Sequence, residues 1–475
     1  MNSQARAAYA SQGTAEPEYL SLPVSVLARG ERRLDSETYL SSGYAIRIQM
    51  EASLPCSPMR EMADVWQPSR LKGTLVSSEH GLPFLTATQV FDIRPSPRKF
   101  IAPRRTPELA NRFLDPGSIV VTCSGSVGDA IITYSPHAGV VISHDLLRVR
   151  PKREAARGYL YTFLRTRLGR AMLRSTRYGS IVKHLEPEHV LDIPVPTARE
   201  SVYAQIDRQV AHVFQLRDDA LRLTLEAEAT FASGFGDVQG DLEETGYPVS
   251  ASRLFTGRRR MDGYHYNPGA QAALAALKGS GNDVVPLSSV ASPIFGVPRF
   301  KHIYQDKGIP YLDSEDLFKI NPELTKFIPG ATKNDAAKYY VERGWLLMAS
   351  SGQIYGLNGT VVVADTWHEG KIVSNHVIRI VPSGVRPGYL AVALGHPVLG
   401  RPLVLRLAFG SEVPEIAPED VAGFPLVRLP SAAEDKIADK MERASTLRMQ
   451  ADQQENAAVE SLEKDLERRL GAQTP

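Results

Sequence analysis

The feature that most constrains this chain of 475 residues is an internal repeat. Short segments of the first half recur in the second half at an offset of 227 residues, which becomes 230 or 231 after a few extra residues. Gly-Leu-Pro-Phe-Leu at 81–85 matches Gly-Ile-Pro-Tyr-Leu at 308–312, and Gly-Tyr-Leu at 158–160 matches Gly-Tyr-Leu at 388–390. Glycine, proline and apolar positions are kept, while the polar residues between them change. Such a register predicts two copies of one domain.

Each copy is predicted to combine short strands with helices. β-Branched apolar runs at 118–122, 130–134 and 140–142 predict strands in the first copy, and the runs at 345–348 and 360–363 predict strands in the second. Apolar residues at near-helical spacing predict a single helix over 158–177. The prolines at 194 and 196 end the globular part of the first copy, because proline interrupts both helices and strand pairing.

Two long amphipathic helices follow the two copies. Apolar residues recur every three or four positions over 200–231 and again over 431–470. Two such helices in one chain most simply pack on each other antiparallel. We therefore predict an α+β chain of two tandem domains joined by two long, antiparallel, coiled-coil-like helices. The expected boundaries are a flexible tail at 1–20, a first domain at 21–197, a central helix at 198–236, a second domain at 246–430 and a C-terminal helix at 431–470.

Composition and charge exclude several classes of protein. Hydrophobic residues make up 43% of the chain and charged residues 23%, which is typical of a globular protein. No apolar run reaches the roughly 18 residues of a membrane span, and two cysteines are too few for a disulfide framework or a four-ligand zinc site. We expect a cytoplasmic protein that contacts no membrane and holds no metal. Both domains carry a small basic excess and both helices an acidic one, which weakly favours a polyanionic partner for the domains.

The order of these motifs resembles the DNA-specificity (S) subunits of type I restriction–modification enzymes. The resemblance covers about 33–470 and rests on five motifs: Arg-x-Asp-x-x-x-Tyr at 33–39 and 260–266, the Gly-x-Pro-aromatic-Leu strand, the Ser-Gly-Ser-Val-Gly loop at 124–128, the Gly-Tyr-Leu helix start, and the run at 179–196 that ends in Ile-Pro-Val-Pro. No single motif is very specific, but their order is repeated twice. The second copy departs from the first where it has Lys436 in place of Gln205 and Ala391 in place of Tyr161.

The resemblance implies a non-catalytic chain that acts through double-stranded DNA and partner subunits. Each of two target-recognition domains would read one half of a bipartite DNA sequence, and the helices would serve as a ruler and as the seat of two modification (methyltransferase) subunits. The chain itself would bind no cofactor, whereas S-adenosylmethionine would be bound by the partner, an adenine-N6 methyltransferase. Restriction or translocase subunits would complete a complex for phage defence.

Candidate DNA-binding residues are the polar and basic side chains that the repeated framework carries. Arginine forks onto guanine, lysine neutralises phosphate, glutamine pairs with adenine and glutamate accepts from cytosine N4. The glycine loops at 124–128 and 350–356 are either phosphate-binding backbone or simple tight turns. A solvated surface remains the alternative for all of them. The candidates are Thr86, Thr88, Gln89, Arg98, Lys99, Arg104, Arg105, Ser124, Ser126, Arg299, Lys301, Asp313, Ser314, Glu315, Lys326, Lys333 and Ser351.

Candidate docking residues for the partner subunits lie along the seams of the two long helices. They are Gln205, Ile206, Val210, Val213, Ile437, Met441, Leu462 and Leu466.

Two alternative functions remain open. In the first, the chain is an S-type recognition subunit of another phage-defence or DNA-modification complex. In the second, it is a stand-alone hydrolase that uses Cys123 or Ser126 with His144 and Asp145. The second copy does not repeat that set in matching register, which weighs against the hydrolase. The sequence contains neither a Walker loop nor a His-Glu-x-x-His motif.

Overall fold

The computed structural model describes residues 24, 39–71, 73–175, 184–236, 238, 247–255, 259–300, 303–329 and 339–471. The predicted tail at 1–20, the first Arg-x-Asp motif and the candidates Lys301 and Lys333 lie outside these residues, as does part of the run at 179–196. The chain divides into two compact units, 1–215 with 451–475 and 216–450. This division passes through both long helices, so each unit contains a part of each.

The first unit combines ten short strands with helices. Its strands are β1 (Cys56–Pro58), β2 (Ala63–Trp66), β3 (Leu75–Val76), β4 (Leu82–Leu85), β5 (Lys99–Ile101), β6 (Ile119–Thr122), β7 (Ala130–Ile132), β8 (Val141–Ile142), β9 (Leu146–Pro151) and β10 (Pro194–Pro196). Its helices are α1 (Ser42–Ser53), α2 (Met59–Met62), α3 (Arg157–Arg165), α4 (Arg167–Ser175), α5 (Pro187–Leu191) and the first part of α6 (Glu200–Ala232).

The second unit repeats this plan. Its strands are β11 (Val284–Pro286), β12 (Ala291–Phe295), β13 (Ile309–Leu312), β14 (Phe327–Ile328), β15 (Leu346–Ala349), β16 (Val361–Val363), β17 (Ile372–Val373), β18 (Val377–Pro382) and β19 (Pro425–Val427). Its helices are α7 (Ala251–Leu254), α8 (Pro268–Gly279), α9 (Pro387–Gly395), α10 (Arg401–Leu405), α11 (Pro418–Ala422) and the first part of α12 (Ser431–Gly471).

The strand order confirms that the sequence repeat is also a structural repeat. The first unit has an antiparallel sheet in the order β2-β9-β6-β7, and the second has β12-β18-β15-β16. Beside it lies a smaller sheet, β3-β5-β4-β8 in the first unit and β14-β13-β17 in the second, with the pairs β4–β8 and β13–β17 parallel. The predicted mixture of helices and short strands is therefore confirmed.

The prediction of one helix over 158–177 is wrong. Helix α3 ends at Arg165, because Thr166 adopts an extended conformation and its hydroxyl donates to the carbonyl of Phe163 at 2.6 Å. Helix α4 then packs back so tightly that a Cβ on Gly169 would lie 2.2 Å from the same carbonyl oxygen. The second copy has the same break, since a Cβ on Gly400 would lie 2.0 Å from the Ala393 oxygen. A glycine at each break permits this approach, which apolar periodicity does not reveal.

Both long helices contribute to the core of each unit. In the first unit, the start of α6 and the end of α12 place Ile206, Val210, Leu462, Leu466 and Leu470 in one buried apolar cluster. In the second unit, the end of α6 and the start of α12 place Ala227, Phe231, Ile437 and Ala438 in the other cluster. Burial of these apolar faces holds the helices to the sheets and to each other.

Candidate nucleic-acid interface

An exposed cationic segment follows strand β5 in the first unit. Lys99 lies on β5 opposite Phe84 of β4 and is exposed, and the next turn exposes Arg104 and Arg105. Within the part of the chain that the structure describes, these three side chains form no ion pair. We name Lys99, Arg104 and Arg105 the β5 basic segment.

Several other surface arginines of this unit are neutralised. Arg60 binds Asp192, and Arg150 lies 3.1 Å from the carboxylate of Asp64. The positive charge of the β5 basic segment is therefore available to an anionic ligand, whereas the charge of these arginines is not. A polyanion such as the DNA backbone is attracted to a cation that lacks an acidic neighbour.

The matching position of the second unit has different chemistry. Lys326 occupies the position of Lys99 and binds the carboxylate of Asp313, which replaces Thr86. Burial lowers the pKa of Lys326, but its hydrogen bond to Asp313 and that carboxylate's charge outweigh burial and raise it overall. Its ammonium lies 6.0 Å from the ring centre of Tyr304. One framework position thus carries a free cation in the first unit and a neutralised one in the second.

The turn after β4 is held by an internal cap in both units. The side-chain oxygen of Gln89 accepts the N–H of Thr86 at 3.1 Å, and its amide nitrogen donates to the carbonyl of Ser96 at 2.9 Å. Asp316 repeats this cap, because its carboxylate accepts the N–H of Asp313 at 3.1 Å. Gln89 is only 6% exposed, so its interpretation as a base-reading residue is corrected to that of a turn-stabilising one.

Other residues near this turn remain on the surface. The hydroxyls of Thr86 and Thr88 are 3.2 Å apart, and Thr88 is exposed. In the second unit Ser314 is half-buried, and Glu315 is exposed 2.9 Å from the ammonium of Lys319. A DNA contact by these residues stays a prediction.

The glycine loops are tight turns in which several backbone donors are used inside the protein. Gly128 donates its N–H to Thr122 at 3.0 Å, and Gly352 donates to Pro414 at 3.1 Å. Gly125 and Gly128 have φ of 70° and 91°, which favour glycine. The Ser124 hydroxyl donates to Asp145 at 3.0 Å, and Ser126 is exposed. Of the two interpretations, this geometry favours the tight turn.

The remaining candidates differ in how accessible they are. Arg98 is half-buried and lies 3.8 Å from Asp92, and burial lowers its pKa. Arg299 is exposed before strand β13. Ser351 is half-buried and pairs with Glu415 through a backbone bridge.

The candidate residues Cys123, His144 and Asp145 of the alternative hydrolase are buried or form hydrogen bonds that stabilise the fold. Cys123 is 1% exposed, and burial raises the pKa of its thiol to about 12, so it is protonated at neutral pH. The Nδ1 of His144 accepts the N–H of Leu71 at 3.4 Å, and Asp145 accepts the hydroxyl of Ser124. A nucleophile activated by an adjacent base requires a different geometry.

Most of the candidate docking residues are buried within this chain. All of the buried members except Val213 pack into the apolar clusters of the units, and each leaves almost no surface for a partner, so their interpretation as docking residues is corrected to that of buried structural residues. The buried members are Ile206, Val210, Val213, Ile437, Leu462 and Leu466. Gln205 is exposed and Met441 is half-buried, and docking through these two stays a prediction.

The sequence analysis missed a pair of buried arginines. Arg148 and Arg379 are fully buried at matching positions, and burial lowers the pKa of each to about 10. Arg148 donates to the carbonyls of Ile142 at 3.0 Å and Ser143 at 2.9 Å, and Arg379 donates to Ser374 at 3.0 Å. Each arginine therefore holds the turn between its unit's two sheets. The recurrence of this arginine at an offset of 231 residues is the sequence signal that could have identified the pair.

Solved structures of type I specificity subunits are similar to this chain. The S subunit of M. genitalium is 12% identical, with 88% of this chain and 95% of that one covered and a TM-score of 0.28. The HsdS subunit of Thermoanaerobacter tengcongensis is 13% identical, with 88% and 96% covered and a TM-score of 0.27. A structure described as the basis of assembly and conformational transition of the type I R-M system is 15% identical, with 88% and 98% covered and a TM-score of 0.27.

No protein-family model matches this chain, and neither does any curated protein sequence.

Two further structural findings concern the described ranges. None of their helices is both long and apolar enough to cross a bilayer. They also contain no group of three or more His, Cys, Asp or Glu side chains placed to hold a metal ion.

Proposed function

We propose that this chain is the DNA-specificity subunit of a type I restriction–modification complex. The observation that carries the proposal is the duplicated framework with different surface chemistry at matched positions. Buried elements recur in both units, such as Arg148 with Arg379, whereas the surface around Lys99 differs from the surface around Lys326. A protein that reads two unlike half-sites with one fold needs this combination, because the frame sets position and the surface side chains set sequence.

In this proposal each unit contacts one half of a bipartite target. The β5 basic segment neutralises backbone phosphates in the first half-site. The chain supplies the address and performs no chemistry, while two modification subunits bind S-adenosylmethionine and take the flipped adenine into their own pockets. Restriction or translocase subunits complete the complex.

A long-read methylome of the host with and without this gene tests the role as a whole. Loss of one split adenine motif on deletion is the expected result. A methylome that does not change would contradict the proposal. Neighbouring genes distinguish a type I complex from another defence system that uses an S-type subunit.

A domain exchange tests the assignment of one half-site to one unit. Replacing 246–430 with the corresponding segment of another specificity subunit should change one half of the methylated motif and leave the other intact. A change in both halves would refute two independent reading units.

Salt dependence of DNA binding tests the β5 basic segment. Each of Lys99→Ala and Arg104→Ala should reduce the slope of log K against log salt by about 1, because one phosphate contact is lost. Arg150→Ala is the matched control, since that guanidinium is already paired with Asp64. An equal effect of all three variants would mean that the segment does not contact phosphate.

A further inference from the structure

The second unit presents an exposed aromatic ring within a basic segment. Tyr304 lies between strands β12 and β13 and is 46% exposed, although its size favours burial. Arg299, Asp306 and Lys307 are exposed on the same connection, and the ammonium of Lys326, which is paired with Asp313, lies 6.0 Å from the ring centre. An exposed aromatic ring on a loop that carries cations is a combination that nucleic-acid-binding surfaces use.

The ring is held in place by its neighbours. The N–H of the next residue, Gln305, donates to the carbonyl of Phe327 at 3.0 Å and fixes the backbone against strand β14. The centre of the Tyr304 ring lies 5.8 Å from that of the buried Tyr311, with 54° between the planes. The ring centre of Phe300 lies 6.2 Å from that of Tyr311 and extends this aromatic group. Such a ring loses little conformational entropy when a ligand covers it.

The ring is not required by the repeated fold. The matching position of the first unit is Ser77, whose hydroxyl contacts His80 at 3.1 Å. Both units form the same parallel strand pair beside this position, one with serine and one with tyrosine. The aromatic side chain is therefore a property of the second unit alone.

We propose that Tyr304 contacts DNA through its ring, packing against the edge of a base, such as a thymine methyl group, in a groove of the second half-site. This inference rests on the proposed function and adds a residue and a mode of contact to it. Lys326 is neutralised by Asp313, so the second unit replaces part of the charge that the first unit uses with apolar contact area. Burial raises the pKa of Tyr304, against the smaller opposing effect of Lys326, so its phenol is uncharged at neutral pH. Apolar contact with a base edge has no salt dependence of its own, unlike a phosphate contact.

The test compares Tyr304→Phe, Tyr304→Leu and Tyr304→Ser in the full chain. Binding to duplexes selected from a randomised pool is measured by fluorescence anisotropy at several salt concentrations. Tyr304→Phe should bind within about twofold of wild type, and Tyr304→Ser should bind about 10-fold more weakly or worse. The salt slope should be unchanged in every variant. Phe255→Ser is the matched control, since Phe255 is 73% exposed at the end of helix α7 in the same unit and should tolerate the change.

Each outcome decides a different claim. If wild type binds selected DNA and Tyr304→Ser binds equally well, the inference is overturned and the proposed function stands. If wild type selects no duplex, the proposed function itself fails. Should Tyr304→Ser lower the melting temperature, Tyr304→Leu decides, because leucine still covers Tyr311 but has no ring. Weak binding by a stable Tyr304→Leu supports a contact made through the ring, and wild-type binding by it refutes such a contact.

Discussion

The close approach of each domain to its own long helix can be tested at one glycine. A Cβ on Gly158, in the first turn of α3, would lie 2.5 Å from the Cα of Asp207 on α6. The N–H of Gly158 donates to the Asp207 carboxylate at 3.1 Å. The second unit repeats the contact, because a Cβ on Gly388 would lie 2.6 Å from the carbonyl oxygen of Ala438 on α12. The adjacent Tyr159 donates its hydroxyl to the carbonyl of Pro196 at 2.7 Å and fixes the same junction.

The structure sets the size of the effect of Gly158→Ala. Ordinary Cβ contacts lie between 3.4 and 4 Å, so α3 must move about 1 Å away from α6 or the Asp207 backbone must give way. Overpacking of this kind costs about 1–3 kcal/mol, and the higher helix propensity of alanine offsets about 0.5–1 kcal/mol of it. The expected net loss is about 1–2 kcal/mol. For a unit of 150–250 residues that lowers the melting temperature by roughly 2–8 °C.

Differential scanning calorimetry of Gly158→Ala and Gly388→Ala measures this loss directly. Gly279→Ala is the matched control, because Gly279 also lies in a helix and no atom stands within 4 Å of its Cβ position. The control should be as stable as wild type or slightly more stable. If Gly158→Ala and the control have the same melting temperature, the domain does not pack closely against its long helix at Gly158.

Four further predictions concern three buried polar groups. Glu455→Ala should lower the free energy of unfolding in urea by about 3–5 kcal/mol, because it leaves the buried guanidinium of Arg165 without the carboxylate 3.4 Å away. The double variant Glu455→Ala with Arg165→Met should recover most of that loss. Purely additive effects of the two substitutions would contradict the pairing. Cys123 should resist alkylation at pH 8 until the chain unfolds, and rapid native labelling would disprove its burial. Because burial raises the pKa of this thiol from 9.0 to about 12, its contribution to stability is complete below pH 9 and is lost as the pH rises towards 12. Gln89→Ala should lower stability by about 1 kcal/mol and leave the methylated motif unchanged, whereas an altered motif would restore the base-reading interpretation.

Features that depend on neighbours in sequence were predicted well. The long helices were expected at 200–231 and 431–470 and lie at Glu200–Ala232 and Ser431–Gly471, because a seam with a spacing of three or four needs no distant partner to be recognised. The strand at Ile119–Thr122 follows from its β-branched run. The division of the chain into two units reflects the offset between repeats.

Features that depend on particular side-chain and backbone contacts, whether near or distant in sequence, were missed. The break between α3 and α4 at Thr166 arises from a turn that brings Gly169 against Phe163, which periodicity averages over. Ile206 and Leu462 are buried in one core because both helices pack against the same sheet. Sequence spacing does not reveal this packing, so both residues were interpreted as docking residues. In the sequence Gln89 resembles a surface amide, but in the fold its amide nitrogen donates to the carbonyl of Ser96.

By itself, the sequence determined that this protein is built twice on one frame, because glycine, proline and apolar positions repeat with a fixed offset whatever surrounds them. Only the tertiary structure decided which charges are available. Lys99 and Lys326 are the same residue at the same framework position, yet the first is free and the second is neutralised by Asp313. The reason is physical, since the availability of a charge is set by the groups within a few ångströms of it, and folding brings those groups from other segments of the chain.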